Sequence, residues 1–200
     1  LCPHGVYLRV DHPFYSRVSE EIMAILARHA DRIEQVSIDE AYLDVSGAGS
    51  FAAANALARA IKQEIREETG LTCSVGVAPG KVVAKIASDY RKPDGLMVVL
   101  PEEVAGFLAP LPVGKVPGVG KKTGEELRQM GVLTVGDLAS HDVQDLIARF
   151  GRHGILMHRL ARGIDDGEVQ GREGCKSVSR ETTFEADIAD PSILAGTLAD

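Results

Sequence analysis

Cysteine is scarce. Cys2, Cys73 and Cys175 are far apart, odd in number and in no C-x-x-C arrangement, which excludes a disulfide framework and a zinc knuckle and fits a reducing compartment. No run of about 18 apolar residues exists, and no charged-then-apolar leader opens the chain. Membrane insertion and secretion are therefore not expected, and a cytoplasmic location is. A basic surplus is also missing: 22 Lys and Arg against 29 Asp and Glu give a net charge of -7 and a pI near 5.4. The chain is no basic nucleic-acid coat, and any contact with nucleic acid must come from local patches. There is no internal repeat and no low-complexity tract. An initial Met is absent too, since the sequence opens Leu1-Cys2-Pro3, which leads us to expect a piece of something longer.

What is present is a hydrophobic content of 44% in 200 residues, ample for one large or two small cores. Val6 to Val10 reads as a strand, and Pro13 opens a helix with Val18, Ile22, Ile25 and Leu26 at helical spacing. Strands are expected over 33–38 and 41–45, a helix over 51–68 stopped by Gly70, and a strand over 72–77. This order of strand, helix, strand, strand, helix, strand predicts an α+β class with a ferredoxin-like (βαββαβ) antiparallel sheet, both helices on one face and the other face free. A helix over 81–90 then leads through the turn Lys92-Pro93-Asp94-Gly95 into a strand over 96–100. From Pro101 to about Gly163, short helices separated by glycines replace strands. The polar stretch 165–176 reads as a linker, and "SVSRETTFEADI" as the first strand of a further, truncated unit.

Within "VSIDEAYLDVSG" at 36–47, the apolar parity changes across Asp39-Glu40, which places a tight turn or bulge there. Neighbouring carboxylates repel unless a cation lies between them, and hard oxygen ligands of this kind suit Mg²⁺, which usually also takes substrate phosphates. Asp39 and Glu40 are thus candidate metal-binding catalytic residues of a phosphoryl-transfer site. Ser37 and Tyr42 read as supporting or packing residues, and Asp44 as a strand-end residue. In "VPGVGKKTGEEL" at 116–127, Gly118 and Gly120 permit a tight turn with Val119 between them. The helix that starts there turns its positive end to the loop, so a phosphate can dock without arginine. Lys121 and Lys122 add local positive charge to an acidic chain. With Val116 and Leu127 at helix spacing, the motif is the hairpin of a helix-hairpin-helix, which positions a nucleic-acid backbone without reading its sequence. Lys81 and Lys85, one helical turn apart, read as a solvated face, and the six histidines as surface or capping residues.

"VSIDEAYLDVSG", "SVGVAPGKVVAKIASDYRKPDG" at 74–95 and "VPGVGKKTGEEL" resemble three signature blocks, in the same order, of the Y-family, or translesion, DNA polymerases of the bacterial DNA polymerase IV type. The resemblance covers essentially the whole chain. It implies a palm over 1–100, a helix-hairpin-helix thumb over 101–164, a linker over 165–176 and the start of a little-finger domain over 177–200. It also implies a centre with two Mg²⁺ ions, Asp39 bridging both and Glu40 binding the one near the primer end. Lys92 would contact the nucleotide triphosphate. Gly118, Val119, Gly120, Lys121, Lys122 and Arg180 would contact DNA. The implied partners are primer-template DNA, deoxynucleoside triphosphates and a sliding clamp engaged beyond Asp200, and the implied activity is synthesis across damaged template. The family also draws a metal-binding aspartate from an N-terminal strand resembling Asp-Met-Asp, followed by a fingers domain. This chain shows no such stretch, so the expectation is a fragment that is inactive by itself. Two other readings compete: a non-catalytic polymerase-like DNA-binding accessory protein, against which the intact acidic pair argues, and a nucleotide cyclase, in which the glycine hairpin has no place.

Overall fold

A computed structural model describes residues 2–171, 179, 181–184 and 186–199. Helix α1 (His12–Ala27) begins where Asp11 accepts a hydrogen bond from the Phe14 N–H at 3.0 Å, with Pro13 in the first turn. Helix α2 (Phe51–Thr69) is capped in the same way by Ser50 and ends at Gly70, whose φ of 72° is the left-handed conformation that side chains disfavour. Ile25 and Leu26 of α1 pack on Ile61 and Ile65 of α2, over Ile33 and Leu43. At the rim, Arg28 bonds Glu64 and Glu68, and His29 meets Glu64 at 2.5 Å.

Strands β1 (Ile33–Gln35) and β2 (Ala41–Leu43) pair antiparallel, Ile33 opposite Leu43. Strands β3 (Val75–Val77) and β4 (Leu96–Val98) pair parallel, joined by helix α3 (Lys81–Tyr90). One face of this second pair, Val75, Val77, Leu96 and Val98, packs on Ala54 and Ala58 of α2. The opposite face carries Gly76, where an added Cβ would lie 2.1 Å from the Ala84 carbonyl oxygen of α3.

These pairings correct the expected sheet. Among the described residues there are two separate two-stranded sheets, and β3–β4 is covered on both faces. A parallel pair needs a helical crossover and near-continuous apolar strands, which is what "LMVVL" supplies. The expected strand over 6–10 has no ladder partner, and Val6, Tyr7 and Leu8 are almost fully exposed. Val36 and Ile38, expected in a buried strand, are 55% and 54% exposed and lie in the β1–β2 connection.

The helical second half follows the expected pattern: α4 (Val104–Leu108), α5 (Lys121–Gln129), α6 (Val135–Ser140), α7 (Val143–Phe150) and α8 (Arg152–Ala161). Leu108, Leu127, Leu138, Leu146 and Met157 form its centre, continuous with Val82, Val83 and Ile86 of α3. Helix α3 is thus common to both halves. The stretch expected as a free linker is docked over 165–170. The Asp165 carboxylate accepts from the Val82 N–H at 3.0 Å, at the otherwise uncapped start of α3, and Lys81 donates to the Glu168 carbonyl at 3.0 Å. Among the described residues of 177–188 there is no strand, and a further helix, α9 (Pro191–Ala199), follows.

Candidate active site

The Val36 and Ser37 N–H groups both donate to the Glu40 carbonyl, at 2.9 and 3.2 Å, closing the chain around residues 37–39. The expected tight turn is therefore present, and it brings Asp39 and Glu40 to the tip between two strands. Ser37 Oγ donates to Asp39 Oδ1 at 2.6 Å, which fixes that carboxylate, in keeping with a supporting role for Ser37. Asp44 accepts from the Ser46 N–H and hydroxyl at 3.0 and 2.6 Å and so closes the end of β2. Tyr42 packs its ring 5.5 Å from the Lys81 ammonium. Burial, with the nearby charges of Glu40, Asp165 and Glu34, pushes its hydroxyl above the ordinary tyrosine value.

Facing the turn is α3, whose residues 81, 85 and 89 recur at helical spacing along one side. Lys85 forms an ion pair with Glu40, and Lys81 reaches Glu34 at 2.9 Å, so neither is the solvated lysine expected. Asp89 holds Lys92 at 2.6 Å. Hydrogen bonding to Lys92, then the Lys92, Lys85 and Lys115 charges, hold Asp89 below the usual carboxylate range. Lys92 in turn is raised, first by Asp89 and then, more weakly, by Glu40 and Asp39, which puts it within electrostatic reach of the acidic pair. Charge thus alternates from the Asp39-Glu40 turn through Lys85 and Asp89 to Lys92. Neither Lys85 nor Asp89 was a candidate on sequence. The signal that could have found them is their i, i+4 spacing ahead of Lys92.

The glycine hairpin lies across a groove of about 470 Å³ lined by Lys85 and Asp89 on one wall and by Gly114 to Gly120 on the other. Gly118 has φ 86°, and its carbonyl is 3.2 Å from His153 Nε2 of α8. Gly120 is extended and leads into α5 with no side chain capping the helix, so its first N–H groups remain available to an anion. Lys121 and Lys122 are exposed at that end. The structure thus brings Asp39, Glu40 and Lys92 around α3 and sets Gly118 to Lys122 on the adjoining hairpin. Arg180 lies outside the described residues.

The impB/mucB/samB family model matches residues 1–89, and that of the IMS family HHH motif matches 101–132. Over its full length the chain is 78% identical to DNA polymerase IV of Methanoculleus marisnigri, of which it covers 56%. A solved Y-family DNA polymerase chimera superposes with a TM-score of 0.80 at 38% identity, over 86% of this chain and 51% of that one. The chain belongs to the Y-family DNA polymerases. Other Y-family relatives agree. DNA polymerase IV 2 of Methanosarcina mazei is 47% identical over 199 residues, 99% of this chain and 54% of that protein. DinB from Sulfolobus solfataricus has a TM-score of 0.78 at 39% identity, over 84% of this chain and 50% of that one. The chain spans about half the length of the curated relatives it matches. In this family context the acidic turn, α3 up to Asp89 and the glycine hairpin fall within the matched regions at 1–89 and 101–132, with Lys92 just outside the first.

Proposed function

We propose that this chain carries the catalytic carboxylates, the triphosphate lysine and the DNA-backbone hairpin of a translesion DNA polymerase. The observation that carries the reading is the convergence on α3: the Asp39-Glu40 turn pairs with Lys85, Lys92 hangs from Asp89, and the hairpin 114–120 shares a groove with both. The domain reading stays with it: palm over 1–100, thumb over 101–164, linker over 165–176 and the start of a little finger over 177–200. The order α1, β1, β2, α2, β3 is that of a ferredoxin-like palm without its first strand, while the two separate sheets and the parallel β3–β4 pair depart from that plan.

Asp39 and Glu40 fit a Mg²⁺ site. They are adjacent hard oxygen donors, Asp39 exposed and Glu40 half-buried, and Mg²⁺ is held by one or two carboxylates with phosphates and waters completing its shell. Among the described residues no group of three or more His, Cys, Asp or Glu could hold a metal, so within this chain the pair is the ligand set, to which the family resemblance adds the further aspartate of an N-terminal strand. Asp39 and Glu40 would hold such ions, whose chemistry when bound would be to activate a primer 3′-hydroxyl and to neutralise charge on the departing pyrophosphate. The chain's own residues do the rest. Ser37 holds Asp39 in orientation, and Lys85 keeps Glu40 compensated between turnovers. Lys92 offers a point charge to the triphosphate, and the N–H groups of Gly118 to Gly120 with Lys121 and Lys122 seat a DNA phosphate. In this reading the substrates are primer-template DNA and deoxynucleoside triphosphates, and a sliding-clamp contact would lie beyond Asp200. Ternary complexes have been solved for the related Dbh DNA polymerase.

The test is primer extension by the chain in its natural full-length context, on an undamaged template and on one with an abasic site. Mg²⁺-dependent extension past the abasic site is expected. DNA binding without extension on either template would favour an accessory protein.

A further inference from the structure

The triphosphate lysine sits on a turn, and turns hold a side chain in place only when something holds the turn. Residues 91–95 are doubled back tightly enough that a Cβ on Gly95 would lie 2.3 Å from the Arg91 carbonyl oxygen. Asp94 has φ 59°, the one positive φ among described residues other than glycine, a left-handed conformation that is uncommon outside glycine even though Asp and Asn adopt it more readily than other side chains. Such a turn persists only if its surroundings over-determine it.

The restraint comes from α2. Lys62 follows the buried Ile61, and its side chain is only 16% exposed. Its ammonium donates to the Asp94 carboxylate and to the Cys73 carbonyl, each at 2.5 Å. A lysine gives up rotamer freedom when fixed, so a surface lysine ordinarily stays in water; this one bonds two acceptors in two segments. A further bond, from the Gly95 N–H to Ser74 Oγ at 3.1 Å, pins the same end of the turn to the approach of β3. The other end is held by α3, where Asp89 takes Lys92. The turn is thus anchored from both sides, at Asp94 and through Lys92 at Asp89, while the Lys92 side chain itself stays 57% exposed.

We propose that Lys62, through Asp94, is a positioning residue for Lys92, locking the 91–95 turn so that the Lys92 ammonium is held towards the acidic pair before nucleotide arrives. Lys62 touches no substrate in this scheme. It acts by pre-organising the group that does, and the proposal rests on Lys92 being the triphosphate lysine. Loosening a group that positions substrate weakens the interactions it makes, and the loss belongs to nucleotide capture rather than to DNA binding.

The test is single-nucleotide incorporation by the natural full-length protein, comparing wild type with Lys92→Ala, Lys62→Met, Lys62→Arg and Asp94→Asn, alongside hydrogen exchange of the 94–96 amides. Asp94→Asn guards against a folding failure of Lys62→Met, since Asn tolerates the left-handed conformation as Asp does. Lys62→Met and Asp94→Asn should each raise the KM for nucleotide by about three- to tenfold with kcat within about twofold. They should add little to Lys92→Ala, and they should speed exchange at 94–96. Lys62→Arg should restore most of the wild-type KM. If Lys92→Ala raises KM while Lys62→Met and Asp94→Asn leave it unchanged, the positioning proposal is overturned. If Lys92→Ala itself leaves KM unchanged, the assignment of Lys92 fails instead, and the exchange rates decide the Lys62 proposal: unaltered protection at 94–96 overturns it.

Discussion

Gly118 and Gly120 stand two residues apart and carry different burdens. Gly118 sits at φ 86°, and an added Cβ would come within 3.2 Å of the His153 ring, whereas Gly120 has an ordinary φ and open space around it. Gly118→Ala should lose about 1–2 kcal/mol of stability and weaken DNA binding. Gly120→Ala should cost far less, and urea melts of the two variants side by side check the difference. A second residue-scale expectation concerns Glu64, which is held below the usual carboxylate range first by its bond to His29 and then by Arg28. Its folded-state value is depressed, so its contribution is fully present above the unfolded value of about 4.3 and is lost as pH falls through the lower folded value. Glu64→Gln should accordingly flatten the loss of melting temperature between about pH 5 and pH 3. At this scale the sequence was informative where chemistry is local. The Pro-Gly-Val-Gly hairpin and the Asp39-Glu40 turn are set by neighbours in the chain. The partner of Lys85 is 45 positions away, and no periodicity announces it.

Among the elements, β3 and α3 approach each other closely at a glycine. The α3 backbone lies against Gly76 so tightly that any side chain would strike the Ala84 carbonyl and the Ser88 N–H. Gly76→Ala should therefore destabilise by about 1–3 kcal/mol, and by pushing α3 off the sheet it should lower nucleotide incorporation as well; thermal melts and turnover measured together check this. The helices were legible because α1, α2 and α5 to α8 carry apolar stripes and recognisable stops. Strand pairing was not. Val36 and Ile38 alternate as a buried strand would, yet they lie exposed where the β1–β2 turn has already begun. Nothing local in "SVGV" or "LMVV" says that these two runs pair with each other in parallel, since that depends on α3 folding between them.

For the molecule as a whole, an acidic chain can hold DNA only if its few cations are well placed. Removal of Lys121 or Lys122 by Ala should each reduce the salt slope of DNA binding by about one unit, with little change in sequence preference. Binding isotherms between about 50 and 200 mM salt measure it. The docking of 165–170 on α3 and β1 was not legible either, because "DDGEVQG" has the composition of a free linker. Its anchors, Asp165 on the α3 start and the Gln170 N–H on Glu34, are visible only in three dimensions. The central claim is that the carboxylates of the Asp39-Glu40 turn are there to hold catalytic Mg²⁺. It is tested most directly by Mg²⁺-dependent primer extension with the natural full-length protein and its Asp39→Ala, Glu40→Ala double variant, with DNA affinity measured in parallel. The account predicts extension by the wild type and a loss of about a thousandfold or more in the double variant at unchanged DNA affinity. Extension surviving in the double variant would contradict it.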